Sequence, residues 1–156
     1  MELIVKPILT YRIYERREAT SWRPWGGIQT EDDAAEERLR IEREISDLPA
    51  KADFPLRILP LTSIRRTEEL NDVMDEIESS DVILLYAAGG NEELLRQVLS
   101  HKPSIIFVRH RSGPVYLWYE IAHPALIRRR TDEIAQPWIG YDDVVVDDYG
   151  ELVWRL

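Results

Sequence analysis

Short, nearly continuous apolar runs alternate along this chain with longer stretches in which apolar side chains recur every three or four positions. The first pattern predicts strands buried on both faces, the second amphipathic helices. Strands are expected at Ile8–Ile13, Leu56–Leu61, Asp81–Tyr86, Ser104–Val108 and Asp143–Val146, with a long polar loop from Glu15 to Gln29. A helix should begin at Thr30, whose hydroxyl can cap the free N–H groups. Glu31, Asp32 and Asp33 suit the positive end of its dipole, and Ala34, Leu39, Ile41 and Ile45 form its apolar stripe. Thr67–Ser79 carries Leu70, Val73, Met74 and Ile77 at helical spacing, and Asn91–Ser100 is a third helix stopped by Pro103. A fourth opens at Pro114 and runs to about Ala122. The last starts at Asp147 or Asp148 and buries Leu152 and Val153, with Trp154 at its margin.

Five strands separated by helices predict a three-layer α/β fold with a doubly wound parallel sheet, flavodoxin-like or Rossmann-like. Right-handed crossovers favour the strand order 2-1-3-4-5. Ligands of such sheets gather at the carboxyl ends of the strands, near the switch point between the first and third. Polar features fall at those ends: the loop after Ile13, Ala87–Asn91 and Arg109–Pro114.

The 156 residues suit one α/β domain spanning the chain. No apolar run approaches the roughly 18 residues of a membrane span, so no membrane partner is expected. The N-terminus shows neither a basic leader nor a cleavage site, and there are no cysteines; both fit a cytoplasmic protein. A formal charge of −9 argues against a nucleic-acid partner, Arg128-Arg129-Arg130 being the one obvious basic cluster. Only 3 of the 20 basic residues are lysine, a bias that says nothing about function.

The stretch Phe107–Pro124, FVRHRSGPVYLWYEIAHP, concentrates candidate chemistry. Ser112 or Gly113 serves as an N-cap and Pro114 suits the first turn, so helix-starting grammar explains those three. Arg109, His110 and Arg111 remain beside a helix N-terminus that favours anions, a setting for a phosphate, carboxylate or hydroxyl-rich ligand. Tyr116, Glu120 and His123 share one helix face. Glu-x-x-His can supply metal ligands, but with one copy and no second carboxylate cluster a Glu120–His123 pair at the helix end is the favoured reading. The loop TSWRPWGG offers Trp22, Arg23 and Trp25 for stacking on a sugar or a partner, or as a lid on the domain's own core. Ala87-Ala88-Gly89-Gly90-Asn91 is weak as a phosphate loop, since no G-x-G-x-x-G follows the first strand and no GK[ST] occurs. Tyr11–Tyr14 and Tyr86-Ala87 stand where a phospho-receiver would place carboxylates, and there is no G-x-S-x-G for a hydrolase.

SSDVILLYAAGG, KPSIIFVRHRSGPVYLWYEIAHPALIRRR and YDDVVVDDYGELVWRL together resemble the N-terminal region of sugar isomerase-like proteins related to the L-fucose and L-arabinose isomerases, over residues 79–156. The resemblance implies a Rossmann-like first domain of a longer chain, which helps assemble a homo-oligomer and lends residues to a neighbouring active site. It also implies a divalent metal, usually manganese, held by later domains and not by this one. Ketose–aldose interconversion needs that metal and acid–base groups. This chain holds no Glu/Asp/His set for the task, so no catalytic residue is assigned and the domain alone is expected to be inactive. Its contribution would be sugar or polyol contacts and subunit packing. The ligand-facing candidates are Arg12, Trp22, Arg23, Trp25, Arg109, His110, Ser112 and Tyr116. The alternative is a stand-alone regulatory or protein-interaction module docking through TSWRPWGG and the Tyr-Trp-Tyr helix.

Overall fold

The computed structural model describes residues 1–13, 18, 28–109 and 144–156. In chain order the elements are β1 (Leu3–Thr10), α1 (Glu31–Ser46), α2 (Leu48–Lys51), β2 (Leu56–Ile58), β3 (Thr62–Ile64), a 3-10 helix (Thr67–Val73) running into α3 (Met74–Ser79), β4 (Val82–Ala87), α4 (Glu92–His101), β5 (Ser104–Val108), β6 (Val144–Val146) and α5 (Tyr149–Arg155). All strand pairs are parallel, in the order β2-β1-β4-β5-β6, with β3 also paired to β1. This is the doubly wound α/β order expected, with one difference. The second strand is split into β2 and β3, which share one side of β1.

The split has a covalent cause. On β1, the Leu3 N–H donates to Pro55 O and Val5 O accepts from Leu59 N, whereas Ile4 bonds to Asp81 beside β4. Backbone polar groups alternate sides along a strand, so Pro7 faces the β2/β3 side, where it has no N–H to offer. The partner strand is interrupted there, between Ile58 and Thr62. A strand was expected to follow Pro7. Instead β1 begins at Leu3 and runs through the proline. The Lys6 side chain bridges the gap in the ladder. Fully buried, its ammonium donates to Pro60 O at 2.6 Å and Thr62 Oγ1 at 2.8 Å, and pairs with Glu76 of α3.

Crossovers in opposite directions from the central strand put helices on both faces. One face of the sheet presents Tyr86 and Phe107, with ring centroids 5.1 Å apart, and Tyr149 of α5 stacks on Phe107 at 4.7 Å. α1 joins that face through the Tyr149 hydroxyl, which donates to Glu44. On the other face lie Lys6, its α3 partner, and α4, whose Leu94, Leu95, Val98 and Leu99 are buried.

α1 is capped by Thr30 in a reciprocal capping box with Asp33. Its buried positions are Ala34, Glu37, Ile41 and Ile45; Leu39, expected inward, is 59% exposed and the carboxylate of Glu37 is buried in the stripe. Thr67–Ser79 is 3-10 rather than α-helical over its first half. Trp154 lies in the open at 80% exposure, while Leu152 is buried. The Pro114–Ala122 helix, the TSWRPWGG loop and Asp143 lie outside the described residues.

Candidate functional site

At the switch point, where β1 is flanked by β3 and β4, the strand ends frame a cleft of about 280 Å³. Tyr11, Arg12, Ile13, Arg65, Arg66, Gly90 and Asn91 line it. Each wall follows from local sequence. Tyr11–Ile13 continue β1, and Arg65-Arg66 leave β3 just before the 3-10 helix. Gly89–Asn91 turn from β4 into α4, where the Asn91 side chain caps the helix by accepting from Leu94 N at 2.8 Å. Two glycines are required. A Cβ on Gly89 would stand 2.9 Å from the backbone N of Arg12, and Gly90 has φ +122°, a conformation that side chains disfavour. Beside Gly90, Thr10 is buried, and its hydroxyl has no hydrogen-bond partner among the described residues.

Glu31, from the first turn of α1, fixes one wall. Its carboxylate accepts from Arg65 Nη1 at 2.5 Å and from the Tyr11 hydroxyl at 3.0 Å, and the Arg65 guanidinium lies 5.5 Å from the Tyr11 ring centre. Burial, then the neighbouring Glu31 carboxylate, raises the Tyr11 phenol above its ordinary value, so it stays protonated and can donate. Arg66 makes no ion pair among the described residues. Among the described residues the lining therefore holds three guanidinium groups and no acid.

A second polar cluster lies inside the α1 face. Arg109, one residue beyond β5, is 1% exposed. Its Nε donates to Glu37 at 2.5 Å, its Nη2 donates to Glu44 at 2.6 Å, and Nη1 is 3.6 Å from Asp147. Glu37 and Glu44 lie two turns apart on α1 and so reach the same point. Asp147 is held at φ 51°, with its N–H donating to Val108 O. Glu44 also accepts from Arg40 at 2.9 Å and Tyr149 at 2.6 Å, and Tyr149 meets the Tyr86 hydroxyl at 3.2 Å. Burial alone would push the Glu44 carboxyl up; hydrogen bonds from Arg109 and Tyr149 outweigh it and hold the group below its usual range. Both phenols are driven upward, first by burial, and remain neutral donors.

Of the candidates named from sequence, Arg12 lines the cleft. The Arg109 side chain is turned into the interior, among carboxylates of its own chain. Trp22, Arg23, Trp25, His110, Ser112 and Tyr116 lie outside the described residues. Sequence reasoning missed Arg65, Arg66 and Tyr11. The available signal was an Arg-Arg pair directly after the strand-like Thr-Ser-Ile. Among the described residues no group of three His, Asp or Glu side chains could hold a metal ion, and no helix is long and apolar enough to cross a membrane.

Fold and cleft define a class: a doubly wound α/β domain with a polar, arginine-lined depression at its switch point. Comparison with family models, curated proteins and solved structures finds no match for the chain.

Proposed function

We propose that the switch-point cleft binds a small hydroxyl-rich molecule, and that the chain serves as the sugar-contacting, subunit-packing domain of a cytoplasmic, oligomeric sugar isomerase-related protein. The observation carrying this reading is the cleft itself. It lies where doubly wound sheets receive ligands, and about 280 Å³ is near the lower end of the roughly 300–1,000 Å³ of small-molecule sites. That size suits one monosaccharide better than a dinucleotide. Its walls offer guanidinium, phenol and amide groups, which hydrogen-bond sugar hydroxyls. The sugar isomerase assignment rests on the sequence resemblance over residues 79–156. Any manganese belongs to that reading's later domains, and the proton transfer is assigned to no residue of this chain.

The test is titration with a panel of aldoses, ketoses and polyols, followed by backbone amide NMR. Saturable shifts centred on Gly89, Gly90, Asn91 and Arg65 are expected for at least one member. Uniformly unperturbed cleft amides at millimolar ligand would overturn the reading.

A further inference from the structure

The lining of the cleft carries a charge pattern that a neutral sugar does not use. Arg12, Arg65 and Arg66 come from two separate strand ends, β1 and β3, and converge on one depression in a chain of net charge −9. On this wall Arg65 is met by two carboxylates among the described residues, Glu31 on its guanidinium and Glu69 on its backbone N–H at 2.7 Å. Neither lines the cleft. The Glu31 contact engages one of the five N–H groups of Arg65. It orients this guanidinium, and its stacking beside Tyr11 makes the placement firmer.

Like charges gathered at one mouth repel each other, and a bound anion relieves that repulsion. A carboxylate is satisfied by one bidentate guanidinium. A phosphate monoester has three terminal oxygens and close to two charges, which matches several arginines arriving from different directions.

We infer that the cleft recognises a small phosphate-bearing metabolite, with Arg65 and Arg66 on the phosphate. This inference rests on the cleft being a ligand site and goes beyond the neutral-sugar reading. The experiment titrates the full chain with ribose 5-phosphate, ribose and inorganic phosphate, following the same cleft amides, for the natural sequence and for Arg66→Ala and Arg66→Lys. Arg66 is exposed, so both variants should keep the natural melting temperature. Ribose 5-phosphate should bind at least tenfold more tightly than ribose. Arg66→Ala should weaken it about tenfold or more, Arg66→Lys should restore part of the loss, and affinity should fall with salt. Inorganic phosphate binding as tightly as the sugar phosphate would uphold the phosphate site and show that the sugar adds little. Equal affinity for ribose and its phosphate, or no effect of Arg66→Ala, would overturn the inference and leave the cleft as a neutral-sugar site. Silence of the cleft amides toward all three would overturn both readings.

Discussion

Arg109→Met tests whether the interior cluster is held by its guanidinium. Methionine keeps most of the apolar stem and removes the group that meets Glu37 at 2.5 Å, both partners being 1% exposed. Breaking a buried pair from one side costs about 3–5 kcal/mol, because the remaining charge keeps its desolvation penalty. Glu44 adds little, since it is 26% exposed and retains Arg40 and Tyr149. At about 2–4 °C per kcal/mol for a domain of this size, the melting temperature should drop by about 6–20 °C. Glu37→Leu in the same chain then removes the buried carboxylate as well. Apolar replacement of a whole buried pair is often neutral or stabilising, so the double variant should regain at least about 2 kcal/mol over Arg109→Met alone. Urea denaturation at pH 7, followed by far-UV circular dichroism, reads both differences. A loss below about 1 kcal/mol in the single variant, or a double variant as weak as the sum of its parts, would refute the reasoning.

Three further outcomes are expected. The Glu44 carboxyl is held below its ordinary value of 4.5, so the unfolded chain takes up its proton first. Its contribution is complete above that value and is lost as pH falls through the folded-state value; Glu44→Gln should flatten the acid side of the stability–pH curve, and an unchanged slope would contradict this. Gly89→Ala places a Cβ 2.9 Å from the Arg12 backbone; it should cost about 1–3 kcal/mol and shift the amides of Tyr11 and Arg12, whereas a silent substitution would mean that the strand ends are not in contact. Lys6→Met removes the donor for Pro60 O and Thr62 Oγ1 and should cost about 2–6 kcal/mol, at about 1–3 per orphaned acceptor; a loss nearer zero would show that water replaces the ammonium.

Strand order was legible because the runs around Leu84 and Ile106 are continuous and buried, and right-handed crossovers leave few arrangements. The beginning of β1 was not, because Lys6 and Pro7 read as a polar residue and a breaker. Only a partner strand with a gap, and acceptors supplied by Pro60, Thr62 and Glu76, make them strand residues. Periodicity assigned Leu39 inward and left Glu37 out of the stripe. Which of the two is buried depends on Arg109, 72 positions away from Glu37, a partner that local pattern does not contain. The same blindness placed the Arg109 side chain at the ligand edge. Arg12 was found because its strand end was recognised. Arg65 and Arg66 were passed over because the preceding strand was taken to end at Leu61, hiding the second fragment that carries them to the cleft.

The interrupted partner of β1 has a consequence for how copies of this chain can meet. β2 and β3 form an outer margin of the sheet, and each is only three residues long. An incoming strand needs an unbroken row of donors and acceptors, and a margin cut by Pro60 offers none of useful length. The flaw that Pro7 imposes on the ladder thus leaves that margin, among the described residues, without a long row of groups for strand addition by a second molecule.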